Sequence, residues 1–351
     1  MPWNRPLAVS LIVSASCFAF AQAGDKTEPQ NLVTKGELQI TKTVPSSDIA
    51  VSFETPLQCD ADGNVYLKSD SDGFPAIRKL SPKGERTASF VPSSCSDIKV
   101  HLAGNFFVAS DGRLYQVAFP PNDPLRYVLV FDDDGTCHSK IKLDTPFSFM
   151  PYQLVTFPSG NMMISGARWQ AQSKSYVRYT ALFSSSGTVL KEVDFQSNPT
   201  APTVEAAAGS VSETEQEQRH SLARGAMLRA SDNNAYLMRS GPVATIYAIS
   251  EGGSVMRRFR VDPGEPGVMA DGMHIAGNRI AVLFAGAHGS HALIKVVDLE
   301  GKPLAQYEAP TRNGRSTLGA VFACYSYPPE DFTFLTTIED NKVALRTVEP
   351  R

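Results

Sequence analysis

The sequence predicts an all-β fold made of six similar units, and two repeated turn patterns carry that prediction. In the first pattern, a short turn of acidic or small residues with Gly or Asn precedes an apolar strand. Most of its copies stand about 50 residues apart, at 62–67, 111–115, 159–162, 233–237, 277–280 and 330–334. One interval is longer than the others and marks an insertion at about 196–222.

The second turn lies between copies of the first and also ends in Gly, which adopts the positive φ of a tight hairpin. One copy stands ahead of the first unit, and none follows the last. The last unit therefore lacks a strand, and we expect Glu37–Val44 to supply it. The copies lie at 33–38, 80–85, 131–136, 183–188, 250–254 and 299–302.

Four strands repeated six times with short connections predict a six-bladed β-propeller with four-stranded antiparallel blades. The N-terminal strand would close the last blade, because closure pairs edges that would otherwise be exposed. Two β-sandwiches would also give many short strands. They would not explain one period running through the whole chain. A substantial helical layer is the other alternative. We place the propeller at 33–349.

Composition limits the function classes. Of the 351 residues, 42% are hydrophobic and 20% are charged, which suits a large folded core and excludes a disordered chain. The formal net charge of −3 offers no basic field for nucleic acid. We expect no nucleic-acid partner, no transmembrane segment and a monomer.

The first 23 residues have the features of a secretory signal. Arg5 is the positive residue, Leu7–Phe20 is the apolar stretch, and Ala21-Gln22-Ala23 is the cleavage site. A lipoprotein signal using Cys17 is the alternative. Cleavage would leave a short lead at 24–32, and the protein would be secreted or periplasmic.

Four cysteines remain after cleavage: Cys59, Cys95, Cys137 and Cys324. An oxidising compartment permits disulfides, and buried free thiols are the alternative. Cys59 and Cys324 should lie on innermost strands of the first and last blades, which are neighbours in a closed ring. We therefore favour a disulfide between them.

The chain resembles the six-bladed β-propeller superfamily of the NHL and TolB-like kind, over about 33–349. The resemblance rests on turns such as Asp62-Gly63-Asn64-Val65-Tyr66 and Asp111-Gly112-Arg113-Leu114-Tyr115. The chain also looks like secreted bacterial propellers of unassigned function. The resemblance implies either a binding scaffold or a calcium-dependent lactonase of the gluconolactonase kind, because fold alone does not choose between them.

A propeller assembles a site from residues just before or within its innermost strands. The candidates for such a channel site are Glu54, His101, Tyr152, Gln153, His220, Arg224, Asp271 and His274. Glu54 and Asp271 could contribute to a Ca²⁺ site, which takes roughly six to eight oxygen ligands. Zn²⁺ would use His101, His220 or His274 beside a carboxylate. Polar residues lining a wet channel are the simpler interpretation.

Other patterns are weaker. The Asp60–Gly63 segment looks like part of a calcium loop but lacks the later ligands, so a hairpin turn is the better interpretation. The insertion is either a disordered loop or a partly helical flap on the face where propeller ligands usually bind. Residues 119–124 and Trp169 lie in loops predicted for that same face.

Two functions follow. The first is a secreted scaffold that binds a protein, peptide or glycan through one face of the ring. The alternative is a Ca²⁺- or Zn²⁺-dependent hydrolase of lactones or esters. Catalytic strings such as H-E-x-x-H and G-x-S-x-G are absent from the sequence, which favours the scaffold.

Overall fold

The computed structural model describes the chain from residue 33 onward, apart from several short connections and one long one. The described residues form strands, turns and one four-residue 3₁₀ helix, Pro92–Cys95. No helix among them is long and apolar enough to cross a membrane. The described ranges are 33–46, 53–69, 76–95, 102–120, 125–195, 225–287, 291–312, 315–318, 321–338 and 343–351.

After the N-terminal strand β1 (Thr34–Ser46), the chain forms four separate four-stranded sheets, each a simple antiparallel meander. The first contains β2 (Phe53–Cys59), β3 (Val65–Ser69), β4 (Ala76–Leu80) and β5 (Arg86–Phe90). The second contains β6 (Leu102–Val108), β7 (Leu114–Phe119), β8 (Arg126–Phe131) and β9 (Cys137–Leu143). The third contains β10 (Phe149–Thr156), β11 (Met162–Gln170), β12 (Ser175–Phe183) and β13 (Val189–Glu192). The fourth contains β14 (Ala226–Arg229), β15 (Ala235–Arg239), β16 (Ala244–Ile249) and β17 (Val255–Val261).

The rest of the chain forms one eight-stranded sheet in the order β18-β19-β20-β21-β1-β26-β25-β24, together with a two-stranded hairpin. The sheet joins a fifth meander, β18–β21, to a last sheet made of β24–β26. These strands are β18 (Val268–Ala276), β19 (Arg279–Gly286), β20 (Ala292–Asp298), β21 (Pro303–Glu308), β24 (Val321–Ser326), β25 (Asp331–Thr337) and β26 (Val343–Pro350). The hairpin is β22 (Thr311–Arg312) and β23 (Arg315–Ser316).

Strand β1 joins the two halves of the eight-stranded sheet. Its segment Leu38–Ser46 pairs antiparallel with β26, as the offset turns predict for Glu37–Val44. Its first residues, Thr34–Glu37, pair in parallel with β21, which the sequence did not predict. The N-terminal strand therefore bonds to the fifth meander as well as to the last strand of the chain.

The innermost strands contact one another in a closed cycle, β2, β6, β10, β14, β18, β24 and back to β2. Buried apolar clusters lie between successive sheets. One unites Tyr66 and Phe90 of the first sheet with Phe131 of the second. Another unites Leu67 of the first sheet with Leu345 of the last. The arrangement is an all-β propeller around a central channel.

The turns between third and fourth strands help to space the sheets. Gly187 has φ +89° and lies against the carbonyl of Lys142 on β9 of the preceding sheet. A side chain there would overlap that oxygen and would also be strained, because L-residues rarely adopt this φ. The Gly that the sequence pattern detects is therefore required by sheet packing as well as by the turn.

Candidate functional site

The narrow part of the central channel, here called the neck, is lined by residues from all of the innermost strands. It encloses a cavity of about 50 Å³, which has room for a few water molecules. The polar side chains that line it include Gln58, Gln153, Asp271 and His274. Three of these four were predicted from the sequence, and Gln58 was not.

Irregular pairing recurs in the innermost strands at the neck. The register of β10 shifts between Pro151 and Gln153, and that of β18 shifts between Ala270 and Gly272. Such bulges place an extra residue in one strand and redirect a side chain. The extra residues here are Tyr152 and Asp271, and Asp271 lines the neck.

Gln58 links the first sheet to the second across the neck. Its Nε2 donates to the Phe106 carbonyl oxygen at 2.7 Å, and its Oε1 accepts from the Val108 N–H at 2.9 Å. The side chain is buried, and both ends of its amide are hydrogen-bonded. Gln58 therefore fixes the spacing of two innermost strands.

His274 lies where the neck widens and lines both parts of the channel. Its Nε2 is 3.2 Å from the Phe322 carbonyl oxygen on β24. Burial lowers its pKa to about 4, because the charged imidazolium loses its hydration. At neutral pH the ring is therefore uncharged, and Nε2 donates to the carbonyl.

The remaining candidates are not brought into the neck by the described residues. Tyr152 is not among the neck-lining residues, and its hydroxyl lies 3.1 Å from Met150 Sδ. Glu54 belongs to β2, but its side chain lies outside the described part of the structure. His101, His220 and Arg224 also lie outside it, as does the insertion at 196–222. Among the described residues, no group of three or more His, Cys, Asp or Glu side chains could hold a metal ion.

The channel widens at one end into a cavity of about 520 Å³, here called the mouth. It opens on the face that carries the turns between first and second strands. The insertion falls in the sequence between β13 and β14, and the start of β14 lies at the end of that strand away from the mouth. The polar groups lining the mouth include Asp60, Asp62, Lys79, Ser110, Asp111, Asp133 and Arg229.

The Asp60 turn, which resembles a calcium loop in sequence, is a hairpin turn with a capped carboxylate. Asp60 Oδ1 accepts from the N–H groups of Asp62 at 3.0 Å and Asn64 at 2.9 Å. Its Oδ2 accepts from the Tyr66 hydroxyl at 3.0 Å and lies 3.8 Å from Lys79 Nζ. Burial, aided by Asp60, raises the pKa of Tyr66 above its usual value. Both oxygens of the Asp60 carboxylate are thus already engaged by hydrogen bonds within the turn and by neighbouring side chains.

Arg229 ends β14 and reaches across two neighbouring sheets. Its Nη1 donates to the Thr156 carbonyl oxygen at 2.9 Å, and its Nη2 donates to Ser110 Oγ at 2.8 Å. Arg229 was not among the predicted site residues, because an arginine at a strand end has no distinctive sequence pattern. Its position as the last residue of an innermost strand, just before the recurring turn, was the available signal.

Trp169 and Tyr176 lie at the far end of the β11–β12 hairpin, on the face opposite the mouth. Trp169 is 41% exposed, and its ring meets that of Tyr176 edge to face at 5.2 Å between centroids. Most of the predicted 119–124 loop lies outside the described residues.

Two disulfides are present in the structure. Cys59 on β2 is joined to Cys324 on β24, with 5.6 Å between Cα atoms, which is the pair favoured from the sequence. Cys95 is joined to Cys137, which the sequence left open. The first disulfide links the first sheet to the last. The second links the 3₁₀ helix that follows the first sheet to β9 of the second sheet.

Comparisons with known proteins support the fold. The chain is similar to an exported protein from Bacteroides fragilis, described as putative, with a TM-score of 0.51 and 10% identity over 91% of this chain and 99% of that one. It is also similar to the PQQ-bound aldose sugar dehydrogenase from Streptomyces coelicolor, with a TM-score of 0.50, 10% identity and the same coverage. No protein-family model and no curated protein matches the sequence. At these identities the likeness shows the propeller fold alone.

Proposed function

We propose that this chain is an exported six-bladed propeller that acts as a binding scaffold and takes its ligand at the mouth. Six innermost strands in a closed cycle support the blade count. On this count the eight-stranded sheet is two blades, joined edge to edge through β1. The signal-like N-terminus, the two disulfides and the likeness to an exported protein support a secreted or periplasmic location.

The mouth is the observation that carries the binding proposal. Its 520 Å³ falls within the roughly 300–1,000 Å³ of small-molecule sites. Charged and hydroxyl side chains from the first, second and fourth sheets converge on it, with apolar contacts from Leu228 and Ile275. A part of a peptide or glycan would fit there, held by polar contacts from several blades.

The test is a peptide and glycan screen with the mature protein and two variants. Ser110→Trp fills part of the mouth, and deletion of 197–222 removes the insertion between β13 and β14. We expect Ser110→Trp to abolish binding and the deletion to leave it intact. Binding that survives Ser110→Trp and disappears on deletion would move the site from the mouth to the insertion. Turnover of a small substrate, with no ligand found, would overturn the scaffold.

A metal-dependent hydrolase acting on lactones or esters is the second candidate, because Asp271 lines the neck. Glu54 and Asp271 would contribute oxygen ligands to Ca²⁺, and His274, which also lines the neck, would be a ligand for Zn²⁺. Bound metal would polarise a carbonyl or activate water. Elemental analysis of purified protein decides the matter. Stoichiometric Ca²⁺ or Zn²⁺, lost in Asp271→Asn, would favour the hydrolase, whereas no metal and unchanged melting in chelator would exclude it.

A further inference from the structure

Most charges at the mouth are already paired with one another. Lys79 Nζ lies 2.5 Å from Asp133 Oδ1 and 3.8 Å from Asp60 Oδ2. Arg113 Nη1 lies 3.9 Å from Asp111 Oδ2. Among the described residues that line the mouth, the side chains of Arg229 and Asp62 have no partner of opposite charge.

Arg229 is positioned for an anionic group. It donates hydrogen bonds to the Thr156 carbonyl and the Ser110 hydroxyl, and both groups are neutral, so they hold the guanidinium without neutralising it. The side chain is half-buried at the wall of the cavity. Its further N–H groups remain for a ligand, and bonds between ionised groups are roughly twice as strong as neutral ones.

Asp62 is positioned for a cationic group. It lies in the exposed turn after β2, on the first sheet, whereas Arg229 belongs to the fourth. The turn uses the Asp62 N–H, which donates to Asp60, and leaves the Asp62 carboxylate at the rim. The mouth therefore presents one carboxylate and one guanidinium that have no ion-pair partner among the described residues, and they belong to different sheets.

From this pairing we infer that the mouth binds a zwitterion, a free amino acid or short peptide, with its carboxylate on Arg229 and its ammonium group toward Asp62. The inference rests on the proposed binding function and names the ligand class for the same site. The neck of about 50 Å³ is too small to admit a residue, so the ligand stays in the 520 Å³ mouth. Leu228 and Ile275 supply apolar contact for small side chains.

The test is calorimetric titration with alanine, dialanine and tetraalanine, and with two blocked forms of dialanine. Dialanine amide lacks the carboxylate, and N-acetyl-dialanine lacks the ammonium group. We expect each blocked form to bind at least about tenfold more weakly than dialanine, since each loses a charge-assisted contact. Arg229→Gln should remove the difference between dialanine and its amide. Asp62→Asn should remove the difference between dialanine and its acetylated form.

Two further variants control for folding and for general charge. Arg229→Lys keeps the positive charge and should retain part of the preference. Arg260→Ala removes an exposed arginine from the outermost strand β17 and should change nothing. The inference is wrong if dialanine and its blocked forms bind equally well, or if dialanine does not bind at all. If a glycan or larger ligand binds and this binding is lost in Ser110→Trp, the mouth is still a binding site and only the zwitterionic ligand class is wrong. If nothing binds at the mouth, both the inference and the proposed function are wrong.

Discussion

The boundaries of the last sheet and the boundary between the fourth sheet and the fifth meander are held together by different means. On one side of the last sheet, β1 bonds through its backbone to both β26 and β21. On the other side, the Cys59–Cys324 disulfide joins it to the first sheet. Between the fourth sheet and the fifth meander, the described residues form no strand pairing. Single hydrogen bonds link them, among them Arg257 Nη1 to the Leu299 carbonyl at 2.9 Å and the Ala270 N–H to the Gly241 carbonyl at 2.9 Å.

The difference shows where a ring of repeated sheets needs extra support. Interior neighbours are consecutive in sequence and pack as the chain proceeds. The first and last sheets must find each other across the whole chain, which costs loop-closure entropy. Backbone pairing and a disulfide offset that cost at the closing boundary.

Removing β1 tests the comparison most severely. A mature chain that begins at residue 47 loses the pairing with β21 and β26 and exposes both edges. We expect it to lose cooperative unfolding, measured by thermal melting with circular dichroism. A chain lacking 197–222 is the matched control and should melt within a few degrees of the mature protein. Similar melting of the two variants would contradict the closing role of β1.

The two disulfides should differ in their contribution to stability. Cys59 and Cys324 are 265 residues apart, whereas Cys95 and Cys137 are 42 apart. By chain entropy, losing the longer link should cost about 1.6 kcal/mol more, within the usual range of roughly 2–5 kcal/mol. Denaturant unfolding of Cys59→Ser/Cys324→Ser and of Cys95→Ser/Cys137→Ser gives both values. Equal losses in the free energy of unfolding would show that the Cys59–Cys324 disulfide stabilises the fold no more than the Cys95–Cys137 disulfide does.

Substitutions of Leu38 and Ile40 distinguish the contribution of side-chain packing from that of backbone pairing within β1. Leu38 is 1% exposed and packs in the cluster with Phe332 and Phe334, whereas Ile40 is 43% exposed. Leu38→Ala should lower the free energy of unfolding by about 3 kcal/mol, and Ile40→Ala by less than about 0.5 kcal/mol. Urea unfolding measures both, and a large loss at Ile40 would mean that β1 is buried differently.

Acid should weaken the boundary that His274 bridges. Its folded-state pKa of about 4 lies below the ordinary 6.5, so the unfolded chain takes up the proton first. Stability therefore falls as the pH is lowered from about 6.5 to 4, by up to about 1.4 kcal/mol per pH unit from this group. His274→Gln should flatten that slope. If the dependence of stability on pH is unchanged in His274→Gln, His274 is not its cause.

Local sequence signals predicted much of the fold. Gly112 and Gly187 have the positive φ that the turn patterns require, and β1 pairs with β26 as the displaced turn implies. The parallel pairing of Thr34–Glu37 with β21 was not predictable, because it depends on how the outer edges of two sheets meet.

The candidate site was predictable only in part. Asp271, Gln153 and His274 were candidates because they are polar residues just before or within predicted innermost strands, and the structure places them in the lining of the neck. Arg229 and Asp62 were not chosen, since their chemistry depends on which neighbouring charges are already paired. That pairing is a property of the packed turns of different sheets, and no local pattern reports it.

The central claim is that ligand binds at the mouth, and amide hydrogen exchange with and without bound ligand tests it most directly. The ligand is dialanine or one recovered by the screen. We predict slower exchange in the turns at 60–64 and 109–113 and at the end of β14, all of which border the mouth. Slower exchange confined to the β11–β12 hairpin, with the mouth unchanged, would contradict the claim.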